Sequence, residues 1–514
     1  MDIILAIDAG TTGVRTVACD LSGRIQAIHY REIARHFPQP GWVEQEAEEI
    51  RDLVFATLQD MSDECLEKGY RVASVGLTNQ RETVVCWDRD TGKPLHRAIV
   101  WQDRRTAGMC NQMREAGMGV LVRDATGLVI DPYFSATKIK WLLDNAIDDP
   151  PPGMMFGTVD SFLAWNLTGG VSTGVSVTDP SNACRTMLFD IHKLEWSEQI
   201  CDAMGIDIKL LPIVVPSCGE IGAISRDVPG DCLHGTRLAG ILGDQQSALF
   251  GQACLCAGMA KVTYGTGSFV LVNTGHEVVA PPDGLVASIA WDLGSHSTGD
   301  ARVSYTLEGS IFSTGATIQW LRDGLGIIRE SSEIGPLAAS ATGSNGLYIV
   351  PAFSGLGSPW WDPHARACIV GISEGVGRKE LARATLESIA FQVRDCMDKI
   401  ARTMADQSGI ILKELRVDGG VSVVDDLLQM QADQLGMPVT RPRNVETTAV
   451  GVALMAALGA GVFISLDDMI GAWQMDVTMQ PEQDRSATDV AYQGWIRALE
   501  KSRGWMVPAG SNMA

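Results

Sequence analysis

The chain has 514 residues, too many for one ordinary hydrophobic core, so two domains are expected. With 46% hydrophobic and 20% charged residues, it has the composition of a soluble enzyme, not of a disordered or fibrous chain. A formal net charge of -21 argues against nucleic acid and anionic membranes as partners, yet allows a phosphorylated substrate held by locally placed cations.

The N-terminus shows no basic region followed by a small-residue cleavage site, so no signal peptide is expected. The opening reads as a β-meander. "IILAID" runs into the turn "AGTTG", "VRTVACD" follows, then the turn Leu21-Ser22-Gly23 and "RIQAIHY". In "EAEEIRDLVFATLQDM", Ile50, Leu53, Val54, Thr57, Leu58 and Met61 share one face, which predicts an amphipathic helix. "VASVGLTN" returns as a strand. "DDPPPG" (148–153) is a loop. Around residue 260 the scheme restarts: "MAKVTYGTGSFVLVN" is again strand, Gly-Thr-Gly turn, strand, and "LRVDGGVS" is a later strand ending in Asp418-Gly419-Gly420. This repetition predicts a duplicated α/β architecture with domains 1–253 and 254–514. "DLGSHSTGD" (292–300) reads as a long polar hairpin tip, and the tail beyond about residue 475 carries no readable motif.

The most apolar long stretch, "AVGVALMAALGAGVFI" (449–464), is shorter than the roughly 20 residues that span a bilayer. Its small residues predict a helix packed tightly inside one domain. The 12 cysteines include no CxxC pair, and most lie in apolar runs. They read as buried free thiols, which suits a reducing cytoplasm.

Each glycine/threonine turn can point backbone N–H groups and hydroxyls at an anion. Taken singly, each reads as an ordinary surface hairpin. Asp8, at a strand end, offers a carboxylate to a hydrated Mg²⁺, and Arg15 places a cation just past the turn. Neither GxxxxGK[ST] nor a GxGxxG after a strand occurs, so a nucleotide site here is neither a P-loop nor a Rossmann type. In the first half, "TNQRET" carries Arg81 and Glu82, "IVWQDRR" carries Trp101, "GLVIDPYFSATKIKWLL" carries Tyr133 and "ILGDQQSALFGQ" carries Asp244 and Gln245. In isolation, Arg81 and Glu82 read as an ion pair on a solvated loop and Trp101 as core, while Asp244 reads equally as a helix cap.

The turns Thr11-Thr12-Gly13 and Gly265-Thr266-Gly267, with "RVDGG", resemble the phosphate loops and adenosine segment of the actin/hexokinase/Hsp70 ATPase fold. That likeness implies an α/β protein of two ribonuclease H-like (actin-like ATPase) domains with a catalytic cleft between them. The motifs above, with "YGTGSF", "GTVDSFLAW", "PGWVEQ", "EGSIF" and "VPAFSGLGSPWWDP", resemble the FGGY carbohydrate kinases from about residue 3 to residue 460.

The resemblance implies transfer of the ATP γ-phosphoryl group to a primary hydroxyl of a small polyol, glycerol. It makes Asp244 the general base and Arg81, Glu82, Tyr133 and Gln245 the hydroxyl-binding set, with Trp101 and Phe269 an apolar wall. It assigns Thr11, Thr12, Gly13, Arg15 and Thr266 to the phosphates, and Gly315, Gln319 and Gly420 to later nucleotide positions. Mg²⁺ would be held through water by Asp8, with Asp244 nearby. A homo-oligomer, dimer or tetramer, is the usual state of the family.

Departures from the family pattern are visible. Val424 stands where an asparagine near adenine is frequent, and Gly13 where serine is frequent. "HGTRLAGILGD" partly resembles a loop used for fructose-1,6-bisphosphate inhibition, but the spacing from Arg237 to Asp244 is short, so that regulation is not carried over. Rival readings are a kinase of another polyol or ketose, such as erythritol or xylulose, and a catalytically silent nucleotide-binding protein.

Overall fold

The computed structural model describes residues 1–297, 302–482 and 484–506. In the first half, β1 (Asp2–Ala9), β2 (Gly13–Asp20) and β3 (Ile25–Glu32) form the expected meander. Helix α1 (Ala47–Lys68) outruns its expected end at Met61 and stops at Gly69, whose φ of 65° closes it. It buries Ile50, Val54, Leu58 and Met61, with Leu53 half-buried at the margin. Strand β4 (Arg71–Asn79) then runs parallel to β1. Strands β5 (Cys218–Ala223) and β6 (Arg237–Gly243) complete a six-stranded sheet in the order β5-β6-β4-β1-β2-β3.

The second half repeats the scheme. Strands β7 (Ala260–Tyr264) and β8 (Ser268–Gly275) flank the second Gly-Thr-Gly turn. Then come β9 (Val286–Asp292), β10 (Val303–Ile311), β11 (Leu415–Asp418), β12 (Val439–Pro442) and β13 (Met475–Met479). Their order is β9-β10-β8-β7-β11-β12-β13. In each sheet the first strand of the half pairs antiparallel with its hairpin partner and parallel with a later strand, β4 or β11. Matching connectivity at the two centres is the signature of duplicated ribonuclease H-like units. The polar segment at 292–300 is the β9–β10 connection, as its register of Asp292 opposite Val303 requires; residues 298–300 lie outside the described residues.

The apolar stretch at 449–464 forms helix α5 (Thr447–Gly459), but not inside one half. It crosses from the second half onto the first sheet and packs beside α2 (Asp244–Gly251). Its core combines Ile4, Ala6, Ala239 and Leu242 with Ala449, Val452, Ala453 and Ala456. Glycines permit the approach. A Cβ on Gly451 would stand 1.8 Å from the Ser247 carbonyl oxygen, and one on Gly76 would stand 2.4 Å from that of Val452. The small residues that suggested tight packing therefore serve a contact between halves. The tail beyond residue 475 supplies β13 and α6 (Ser486–Ser502), which docks on α3 (Arg378–Ser408) through a buried carboxylate. Asp395 accepts bonds from Tyr492 Oη (2.6 Å), Trp495 Nε1 (3.0 Å) and Trp360 Nε1 (3.3 Å). Most cysteines are buried free thiols; Cys232 and Cys368 are half-buried and Cys256 is exposed.

Candidate active site

The two glycine/threonine turns are built alike. Gly10 N–H donates to the Gly13 carbonyl (3.0 Å) and Gly265 N–H to that of Gly267 (2.8 Å). Thr12 and Thr266 are exposed at the turn tips. The first turn is braced from behind: Gln45 Nε2 donates to the Thr11 carbonyl at 2.8 Å, and Gln80 Nε2 to that of Gly10 at 3.3 Å. The second is braced by residues 314–316. Thr314 and Ala316 N–H groups donate to the Thr266 carbonyl, and Gly315 N–H to that of Gly265. Gly315 has to be glycine there, because a Cβ would lie 2.7 Å from the Gly265 oxygen. Gln319 ends the short helix Gly315–Gln319, exposed. Gly420 is exposed beyond β11, and nothing lies within 4 Å of where its Cβ would be. Val424 is the N-cap residue of α4 (Asp425–Leu435) and offers that helix no side-chain bond.

Asp8 and Arg15 face each other across β1 and β2, with Arg15 Nε 2.7 Å from Asp8 Oδ2. Arg15 also pairs with Glu446, at the start of α5.

Behind the turns lies a chain of buried charge. Arg81 and Glu82 are 2% and 1% exposed, so the solvated ion-pair reading fails, and they do not bond to each other. Arg81 Nε lies 3.2 Å from Asp244 Oδ1, and its Nη1 and Nη2 donate to Glu308 at 2.9 and 2.7 Å. Glu82 instead accepts from Arg185 Nε at 2.6 Å, and Arg185 Nη1 reaches Glu308 at 3.3 Å. The Thr83 N–H bonds the Arg81 carbonyl, closing a tight turn that holds Glu82 at φ 63°. That backbone conformation is costly for a non-glycine residue. Burial works to raise the Glu308 carboxyl, but Arg185 and Arg81 hold it down at about 2.

Aromatic rings complete the chamber. Trp101 and Tyr133 meet edge-on at 5.5 Å, Arg185 lies over Tyr133 and Phe134, and Arg81 lies over Phe269. Trp101 Nε1 donates to Thr11 Oγ1 at 2.8 Å, so one indole joins the chamber to the first turn. Burial of Tyr133, with Glu82 beside it, pushes its phenol well above the ordinary range.

Asp244 is not the cap of α2. Gly243 occupies that position, and Asp244 is the first helical residue, its Oδ1 accepting the Gln245 N–H at 2.7 Å. Burial pushes its carboxyl up to about 6, with Arg81 opposing and Glu82 and Asp8 adding to the rise. Gln245 is held by Lys261, whose Nζ donates to its Oε1 at 2.5 Å and to Thr263 Oγ1 at 2.8 Å. Burial pushes the Lys261 ammonium down to about 8.

Sequence reasoning missed Arg185, Lys261 and Glu308. Glu308 was within reach, since it opens "EGSIF". Nothing in the local pattern separates Arg185 or Lys261 from ordinary strand or loop residues.

These features have counterparts among known proteins. The chain belongs to the FGGY family of carbohydrate kinases, whose N-terminal domain matches residues 3–251 and whose C-terminal domain matches residues 260–460. It is similar to the glycerol kinase of Bordetella parapertussis, 45% identical and covering 99% of each chain. It is 46% identical to the glycerol kinase of Dechloromonas aromatica over 98% of each chain. The crystal structure of Plasmodium falciparum glycerol kinase with ADP superposes with a TM-score of 0.88 at 32% identity, over 98% of each chain. A xylulose kinase from Lactobacillus acidophilus, at 19% identity and a TM-score of 0.85, shares the fold. The fold is the two-domain, actin-like one.

Proposed function

We propose that this protein transfers the γ-phosphoryl group of ATP to a primary hydroxyl of glycerol, giving glycerol 3-phosphate. One observation carries the mechanism. The Asp244 carboxylate stands at the start of α2, touching Arg81 and near enough to Asp8 to be raised by its charge. In a loose phosphoryl-transfer transition state, the protein mainly positions reactants and stabilises charge. Asp244 accepts the hydroxyl proton as oxygen attacks phosphorus, and a carboxyl raised to about 6 is a better base than an ordinary aspartate while remaining ionised at pH 7. Arg81, Glu82, Tyr133 and Gln245 hold the hydroxyls, while Trp101 and Phe269 cover the CH edge of the triol. Their fixed geometry comes from Glu308, Arg185 and Lys261 behind them.

Thr11, Thr12, Gly13, Arg15 and Thr266 surround the polyphosphate. Gly315, Gln319 and Gly420 line the rest of the nucleotide. The site fits a nucleotide-borne Mg²⁺. Asp8 gives one carboxylate oxygen to Arg15 and keeps the other for a metal-bound water, and Asp244 supplies a second carboxylate. Mg²⁺ would neutralise phosphate charge. Residues 1–253 would form the acceptor-binding domain with the first phosphate loop, and 254–514 the nucleotide-binding domain. The buried thiols support a cytoplasmic setting, and membership of the family supports a dimer or tetramer. No helix among the described residues is long and apolar enough to cross a membrane.

The test is ADP release from Mg-ATP alone, then with glycerol, dihydroxyacetone, erythritol and xylulose in turn. Strong stimulation by glycerol above the others is expected. Stimulation by a longer polyol instead moves the substrate, and none by any of them overturns the reading.

A further inference from the structure

Gly13 raises a question that the backbone does not answer. It is absent from the positive-φ glycines of this chain, so no left-handed conformation demands it. What fills the side-chain space at 13 is Tyr30. A Cβ on residue 13 would lie 2.3 Å from Tyr30 Cε2, 2.4 Å from its hydroxyl oxygen and 2.5 Å from Cζ. The tip of the phenol therefore occupies the volume that any side chain at 13 would need.

Tyr30 stands on β3 directly opposite Arg15, which itself stands opposite Asp8. Cross-strand partners share a face, so Asp8, Arg15 and Tyr30 form one row across three strands at the mouth of the cleft. A tyrosine there gains little from burial, being 48% exposed. Its hydroxyl donates only to the Thr12 carbonyl, at 3.4 Å, the long limit for such a bond. Little is lost when that proton turns toward a better acceptor. The phenol thus brings a free donor to the rim of the first phosphate turn, beside the exposed Thr12.

We propose that Tyr30 is a nucleotide-binding residue, its hydroxyl donating to a polyphosphate oxygen held in the Gly10–Gly13 turn, and that glycine at 13 exists to admit it. This rests on reading that turn as a phosphate loop. A charge-assisted O–H···O⁻ bond is short and directional, so losing it weakens nucleotide binding without touching the acceptor chamber.

The test uses the full-length enzyme, with Tyr30→Phe, Tyr30→Ala, Thr12→Ala and the double variant Tyr30→Ala/Gly13→Ser. Tyr30→Phe keeps the ring and is expected to raise KM for Mg-ATP at least about tenfold, the worth of one hydrogen bond to a charged acceptor, with KM for glycerol unchanged. Tyr30→Ala is expected to lose as much, and adding Gly13→Ser to it to recover most of the loss by restoring a hydroxyl in the vacated space. Gly13→Ser alone pushes the phenol tip aside, and in that background Tyr30→Phe should have little further effect on KM for Mg-ATP. Weakened binding in Thr12→Ala with none in Tyr30→Phe would overturn the role of Tyr30 while keeping the phosphate loop. No change in either overturns both.

Discussion

Asp244 concentrates the chemistry at the scale of single residues. Its carboxyl is pushed up to about 6 by burial, and only the ionised form can take a proton. The kcat/KM for glycerol should fall on acidification with an apparent pKa near 6, approaching tenfold per pH unit below it, as a pH–rate profile would show. Asp244→Asn should lower kcat by roughly 10²–10⁴ while glycerol and ATP still bind in calorimetry. Val424 gives a second test. As an N-cap without a side-chain acceptor it leaves the first turn of α4 without a side-chain cap. Val424→Asn should stabilise the protein by about 1 kcal/mol in urea unfolding. It should also sharpen ATP over GTP about fivefold, the value of one hydrogen bond to adenine. A strong ATP preference that the substitution leaves unchanged would remove Val424 from nucleotide selection. Residue roles were only partly legible in sequence. Asp244 and Arg81 lie in recognisable stretches, whereas Glu308 bonds to Arg81 across 227 positions, and no local pattern encodes such a pairing.

Among elements, the strand–turn–strand hairpins were readable because short apolar runs and turn chemistry are local properties. Helix α5 was readable as a helix but not as a bridge, because its partners belong to a sheet made hundreds of residues earlier. Its contact with α2 leaves no room: a Cβ on Gly451 would meet the Ser247 oxygen at 1.8 Å. Gly451→Ala should therefore cost about 3 kcal/mol in urea unfolding and impair activity, since it pushes on the helix that begins with Asp244. Helix α6 depends on one acid. Asp395→Ala would leave the donors of Trp360, Tyr492 and Trp495 without their acceptor. The expected result is a loss of about 3 kcal/mol and faster proteolysis within α6.

At the scale of the molecule, the buried charges tie the halves together. Glu308 belongs to the second sheet, yet its bonds go to Arg81 and Arg185, which come from the first half. Opening the cleft would part these charges and break their short bonds, so their pairing favours the closed arrangement that excludes water from the phosphoryl group. Glu308→Gln removes the charge between two arginines. It should cost about 3 kcal/mol in thermal or urea unfolding and raise KM for glycerol more than KM for ATP.

The crossing of α5 also bears on how the chain is made. The first sheet is complete once Gly243 has been synthesised, but the helix covering its inner face begins only at Thr447, about 200 residues later. At roughly 5–20 residues per second, that interval lasts about 10–40 s. Throughout it the nascent first half presents Ile4, Ala6, Ala239 and Leu242 without their final cover. A ribosome-bound fragment ending near residue 253 should bind chaperones and aggregate on release, and a separately made fragment carrying α5 should rescue it by strand-independent complementation.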